Sequence, residues 1–181
     1  MLTEPQIQRY ARQILLREVG GRGQETLLAH PLEVLGAGPA LWVAVTYLAA
    51  GGTPLRLPAG FSPGGFLEGA TLAQFNPDAV AASSRGCLAA APAAPSGPAP
   101  WILLGANAVL FRGEAGCEAC FHQTAAALRP DAAQPTAVTL GALAALVAQR
   151  LVLGRSEPLG GLAWDGERLV PLAIDRCPAH R

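Results

Sequence analysis

The sequence contains no lysine: all 13 basic side chains other than histidine are arginine. Any mechanism that needs a lysine ammonium is therefore excluded. GC-rich codon usage accounts for the absence, and it also suits the 21 glycines, 16 prolines and abundant alanine. Charge is sparse, at 14% of residues, and the formal net charge is zero. That balance argues against nucleic acid or an anionic membrane as the main partner. No long apolar run occurs: the longest, near 40–45 and 140–148, fall well short of the roughly 18 residues of a membrane span. The N-terminus, MLTEPQIQRYAR, lacks a signal-peptide pattern, so a cytoplasmic location is expected. Residues 80–105 contain neither aspartate nor glutamate.

What is present fits one globular domain. A chain of 181 residues that is 51% apolar can bury a proper core. Residues 3–29 read as two short helices, with Ile7, Tyr10, Ile14 and Leu15 as a helical stripe broken at Gly20-Gly21. Residues 32–36 read as a strand and Pro39 to Ala50 as a helix, with proline at a tolerated first-turn position. That helix is expected to bury Ala40, Ala44, Tyr47 and Leu48. A second strand follows at 53–58. The strand–helix–strand order with short links predicts a right-handed crossover and a parallel sheet. Residues 59–69 read as a glycine-rich loop, and 71–80 as a short helix stopped at Asn76-Pro77. CLAAAPAAPSGPAP, residues 87–100, reads as a surface linker. Strands are expected at 101–105 and 107–112. A long helix is expected over 136–154, with Leu140, Leu143, Ala144, Val147 and Leu151 in one stripe and Gly154 as its stop. A hairpin is expected over 159–174, turning at Asp165-Gly166. There is no internal repeat.

Two motifs carry chemistry. The first is Gly36-Ala37-Gly38, which sits where a nucleotide loop would open. Here Pro39 follows directly, and Leu41 takes the place of the last glycine in G-x-G-x-x-G. The second is a pair of two-ligand knuckles, Cys117-Glu118-Ala119-Cys120 and Cys177-Pro178-Ala179-His180. Tetrahedral zinc takes four nitrogen or sulfur ligands, and a C-x-x-C turn offers two thiolates to one ion. Together the knuckles complete a Cys3His set that would staple a loop to the C-terminal tail. Four ligands leave no open position, so the zinc would be structural. Two alternatives stand beside it: unrelated free thiols, and a redox C-x-x-C. The latter would open a helix after a strand, whereas this pair lies in a glycine-rich loop. His122 is a fallback ligand. His30, before Pro31, reads as structural, and Cys87 as an unpartnered thiol.

With these pieces in order, the chain resembles the HesA/MoeB/ThiF family, bacterial relatives of the ubiquitin-activating enzymes. RYARQILLREVGGRGQETL is similar to that family's opening helices, and VLGAGPALWVAVTYLAAGGTPLRL to its glycine loop, helix and second strand. FNPD resembles the end of its next helix, and GANAVLFRGEAGCEAC its late strands and first knuckle. TLGALAALVAQRLVLGRSEPLGG resembles its late long helix, and CPAH its second knuckle, with histidine for the usual cysteine. The resemblance covers most of the chain, with an interruption between about 58 and 100. It implies an α/β, Rossmann-like, mostly parallel sheet with flanking helices, an N-terminal helical segment and a C-terminal zinc-stapled hairpin. It also implies a dimer, and MgATP-dependent adenylation of the C-terminal glycine of a ubiquitin-like or sulfur-carrier protein.

The catalytic parts of that pattern are missing. Phosphate cradling uses backbone N–H groups at close approach; Pro39 has none, and Leu41 adds bulk. The ribose-holding acid falls near Ala59. The family's Ser-Asn-Leu-x-Arg-Gln segment has no counterpart. The phosphate-contacting lysine cannot exist, and no magnesium-binding acid lies in 80–105. Losing one electrostatic stabiliser costs ~100–1000-fold in rate, so adenylation is not expected, nor is ATP or magnesium. Arg9 and Arg12 of RYxR remain. The second arginine in the family reaches ATP phosphates of the neighbouring subunit, and Arg12 either keeps that role or is a surface or dimer-contact residue.

The expectation is a single shortened domain over 1–181. Its parts are helices at 1–30, a strand–helix–strand unit at 32–58, a loop and linker region at 59–100, and late strands, long helix and knuckles at 101–181. The expected function is that of an inactive dimer partner, homodimeric or paired with a full-length family member, in a sulfur-carrier or ubiquitin-like pathway. Two alternatives are an active adenylyltransferase with an altered nucleotide site and a module that binds a ubiquitin-like tail.

Overall fold

The computed structural model describes residues 1–61, 72–130 and 134–180. The expected loop at 59–69 lies outside the described residues from 62 onward, as does residue 71 of the short helix. Two N-terminal helices, α1 (Glu4–Ile14) and α2 (Gly20–Leu28), precede the sheet. A capping box starts α1: Thr3 and Gln6 bond reciprocally, with the Thr3 N–H donating to Gln6 Oε1 at 3.0 Å. The apolar stripe expected on α1 is not buried: Tyr10 is enclosed, but Ile7 and Leu15 are exposed. Tyr10 anchors α1 to the body, while among the described residues nothing covers Ile7 and Leu15.

The strands are β1 (Leu32–Leu35), β2 (Leu55–Arg56), β3 (Cys87–Ala90), β4 (Trp101–Leu104), β5 (Ala108–Arg112), β6 (Leu159–Trp164) and β7 (Leu169–Pro171). They form one sheet in the order β2-β1-β3-β4-β5-β6-β7. β2, β1, β3 and β4 are mutually parallel, and β5, β6 and β7 run antiparallel to their neighbours. The parallel half is the product of the crossover expected at 32–58, where α3 (Pro39–Ala50) links β1 to β2.

β3 corrects the sequence reading. Residues 87–90 are not a linker but a central strand, buried at every position between β1 and β4. Alanine has little intrinsic preference for strands, and the flanking prolines read as loop. The strand forms because a small, wholly apolar segment suits a position covered on both faces. The proline-rich remainder, 91–100, returns the chain to β4.

Alternation along the central strands divides the core. Leu88, Ala90, Ile102, Leu104 and Val109 face α3 and the long helix α6 (Gln134–Val152). Cys87, Ala89, Trp101, Leu103 and Leu110 face α5 (Glu118–Ala125), through Phe121, together with Leu172 and Ile174. In α6 the expected stripe is in place: Leu140, Ala144 and Val147 are buried, and Leu143 and Leu151 pack at the margin. Gly141 lets α6 approach α3 closely, since a methyl group there would meet the Ala40 carbonyl and the Val43 side chain. Because α3 is covered by both the sheet and α6, it buries Leu41, Val43, Val45 and Ala49 beyond the expected face; Tyr47 lies on the uncovered side and is exposed. The hairpin turns as expected, with Asp165 Oδ1 accepting from the N–H groups of Glu167 and Arg168, both at 3.0 Å. Among the described residues, no helix is long and apolar enough to cross a membrane.

Candidate metal centre and glycine loop

The metal candidate is assembled from two elements that cover the sheet beside Trp101. After β5 the chain turns through Gly113–Gly116, and the Arg112 Nε–H donates to the Gly116 carbonyl at 2.8 Å. Cys117 is then the N-cap of α5, and Cys120, one turn later, is fully buried. C-x-x-C therefore opens a helix after a strand, not a loop as the glycine content suggests. From the other side the tail is pinned where the Asp175 N–H donates to Thr124 Oγ1 at 2.8 Å. The Cys177 N–H then points at Cys120 Sγ, 3.3 Å away. A 3-10 turn at Pro178–His180 brings His180 back over Cys177, with the His180 N–H donating to the Cys177 carbonyl at 2.8 Å.

The ligand atoms of Cys117, Cys120, Cys177 and His180 all lie within 4.8 Å of one another. Cys117 Sγ to Cys177 Sγ is 3.8 Å. His180 Nδ1 stands 3.2 Å from Cys177 Sγ and 3.6 Å from Cys120 Sγ. A tetrahedral ion with metal–sulfur bonds of about 2.3 Å and a metal–nitrogen bond of about 2.0 Å requires edges of about 3.8 and 3.5 Å. The four residues fit such an ion. The Cys120 backbone N–H lowers the Cys117 thiol to about 7, which favours the thiolate form that binds metal. A C-x-x-C at a helix start also has the shape of a redox pair. What separates the readings is the arrival of a third sulfur and an imidazole at tetrahedral spacing.

The other candidates stand apart. His122 packs tilted against Trp101 and edge-on to Phe121, with ring centroids 5.2 and 5.7 Å away, and lies 3.7 Å from Glu118 through Nε2. It is not needed as a ligand. His30 pairs with the Thr26 carbonyl at 3.0 Å through Nδ1, one turn back on α2. Cys87 is enclosed in β3, and burial, helped by the charge of Glu33, pushes its thiol up to about 12.

The glycine loop lies at the carboxyl ends of β1 and β3, where open α/β sheets bind ligands. Gly36 turns the chain with φ of 82°. An added Cβ there would stand 2.9 Å from the Ala90 carbonyl and 3.4 Å from the Ala93 methyl. Gly38 caps α3 and Pro39 begins it. Leu41 is fully buried among the core residues and does not face the crevice as a contact point. The turn after β3, Ala91-Pro92-Ala93, brings no acid to the crevice, and Ala59 after β2 is exposed and brings none either. Two cavities of about 530 and 540 Å³ lie elsewhere. One is at the amino ends of the parallel strands, beside His30 and Arg85; the other is beside Cys117 and His180.

The N-terminal motif is tied to FNPD by a buried polar network. Arg9 Nη1 donates to Asn76 Oδ1 at 2.8 Å. Asn76 Nδ2 donates to the Ala49 carbonyl and, at 2.9 Å, to the Tyr10 hydroxyl. The Tyr10 hydroxyl donates to Asp78 Oδ2 at 2.8 Å. Asn76 Oδ1 also caps the 3-10 turn at Pro77–Ala79 by accepting the Asp78 N–H. Sequence reasoning saw Asn76 as a helix stop and as part of FNPD at the end of that helix; the signal it passed over was an amide flanked by apolar residues. Arg12 is exposed in the last turn of α1.

No protein-family description matches the sequence, and no curated protein does. Solved structures match the fold. Escherichia coli MccB with MccA-N7isoASN superposes with a TM-score of 0.62 at 16% identity, covering 95% of this chain and 74% of that one. PaaA gives a TM-score of 0.62 at 16% identity, covering 97% and 76%. MccB solved with ATP gives 0.59 at 15%, covering 95% and 73%. The mixed sheet, flanking helices and Cys/His cluster near the C-terminus are those of a MoeB/ThiF-like fold.

Proposed function

We propose that the chain is a catalytically inactive relative of the ThiF/MoeB-like adenylyltransferases, acting as a structural or regulatory dimer partner. The observation that carries this reading is the crevice at the carboxyl ends of β1 and β3. Its described walls, Gly36–Leu41 and Ala90–Ala93, hold glycine, alanine, proline and a buried leucine. Nothing there offsets the charge of a triphosphate or holds a magnesium ion, and Pro39 withholds a backbone donor where α3 starts. The ion held by the Cys/His cluster is zinc in a structural role: sulfur and imidazole at tetrahedral spacing suit it, and it ties α5 to the tail. Tyr47 of α3 and Val138 and Leu146 of α6 are exposed apolar side chains, and an association surface would cover them.

ATP–pyrophosphate exchange with candidate carrier proteins tests the reading. The chain alone should give none. Mixed with a full-length enzyme of this fold from the same cell, it should raise exchange if Arg12 acts in trans, and the gain should vanish in Arg12→Ala. Exchange by the chain alone would overturn the inactive reading. Thermal shift with MgATP gives an independent measure, since a ligand at 100 times its Kd adds about 2.7 kcal/mol of stability. A second reading has specific support: MccB has been solved with N-formylated MccA, so a peptide or small-protein tail is the partner class to test for binding without activation.

A further inference from the structure

The four members of the metal cluster are not held alike. Cys120 is fully enclosed within α5, and Cys177 is buried with its N–H directed at Cys120 Sγ. Cys117 is fixed as the helix N-cap. Each of these three is tied to the body by bonds that do not depend on the ion. His180 is different. It is exposed, and it stands in a single 3-10 turn none of whose residues is buried. Apart from one backbone bond to Cys177, its described contacts are the sulfur atoms themselves. Beside it opens a cavity of about 540 Å³ bordered by Cys117, His180, Glu157, Leu159, Ile174 and Arg176. Cavities of roughly 300–1000 Å³ admit small organic ligands. The weakest corner of the tetrahedron therefore borders a cavity from which a replacement ligand can enter.

We propose that His180 is a detachable ligand, so that the ion, kept by Cys117, Cys120 and Cys177, takes a small external thiol in its place. The inference rests on the metal reading of the cluster. A thiolate is the matching class because an ion already bound by three sulfurs favours soft donors. The exchange balances: the metal–Nδ1 bond breaks, a metal–sulfur bond forms, and the thiol proton passes to the freed imidazole. One negative charge is added at the ion and one positive charge beside it. Glu157 and Arg176 stand on the same rim.

The test uses the full chain loaded with cobalt(II), whose visible absorption reports the donor set. A ligand on a short tether acts at an effective concentration of about a millimolar, so 2-mercaptoethanol should convert the spectrum to a four-sulfur form at about millimolar concentration. His180→Ala removes the competitor and should respond at lower thiol than the wild type. His180→Cys fills the corner permanently, and its spectrum should resemble the thiol-saturated wild type and not change further. Failure of the wild type to bind cobalt would sink the metal reading itself. Bound cobalt with a spectrum indifferent to thiol, a response in His180→Cys, or cobalt released into the filtrate would overturn the exchange while leaving the metal site standing.

Discussion

Asn76→Ala should destabilise the fold more than any other substitution of a polar residue outside the metal cluster. The amide lies at the meeting point of α1, the end of α3 and the 3-10 turn at Pro77–Ala79, and it is 2% exposed. Its loss leaves the Ala49 carbonyl without the Nδ2 donor. A buried group stripped of its partner costs about 1–3 kcal/mol. It also removes the acceptor that caps Asp78 N–H, a loss of about 1 kcal/mol. Arg9 lies partly in solvent and is rehydrated, so its bond adds little. The sum is about 3 kcal/mol, which for a chain of this size lowers Tm by about 6–12 °C. Urea unfolding at fixed protein concentration, on wild type, Asn76→Ala, Tyr10→Phe and the double variant, measures both the loss and the coupling. Residues sharing a network couple by about 0.5–3 kcal/mol. A loss for Asn76→Ala under about 1 kcal/mol, or additivity within about 0.5 kcal/mol in the cycle, would refute the network as the seat of α1.

Three further outcomes are expected. Protein purified without added metal should carry about one zinc per chain by elemental analysis, and Cys120→Ser should lose it and melt at lower temperature; a fully folded metal-free native protein contradicts the centre. Cys87, pushed to about 12 by burial and the charge of Glu33, should resist iodoacetamide at pH 8 until the chain unfolds, while chelation exposes the other three cysteines to alkylation, as read by mass spectrometry. Burial raises the Tyr10 hydroxyl from 10.0 to about 12, so the folded state keeps a proton that the unfolded state releases. Stability from this group is intact below pH 10 and lost as pH rises through about 12. Urea midpoints across that range should fall more steeply for wild type than for Tyr10→Phe.

Much of this architecture was legible because periodicity and burial agree. α6 shows the expected stripe, β4 and β5 fall where short apolar runs predict strands, and the knuckle spacing named all four members of the cluster. β3 was not legible, because Cys-Leu-Ala-Ala draws its strand character from its two neighbours in the sheet and from cover on both faces. The start of α5 was hidden for a related reason: Gly113 and Gly116 mark a turn, but the helix follows directly on Cys117. The exposure of Ile7 and Leu15 was equally invisible, since a helical stripe specifies which residues share a face and not whether anything covers it.

The N-terminal motif shows how a functional signature and a structural one can overlap in a few residues. RYxRQ and FNPD look like traces of a nucleotide enzyme, yet Arg9, Tyr10, Asn76 and Asp78 are all engaged with one another. Their presence is sufficiently explained by the docking of α1, and it lends no weight to catalysis. Arg12 is the exception. Among the described residues its guanidinium makes no hydrogen bond or ion pair, and it stands exposed in the last turn of the helix that the network fixes in place. The docking of α1 does not depend on its guanidinium, so its replacement by alanine should leave the body of the fold intact. That separation makes Arg12→Ala a usable probe in the mixed exchange experiment: a gain that survives it refutes the arginine-in-trans idea, and a gain lost while association with the full-length enzyme is retained supports a charge acting on another subunit's phosphates.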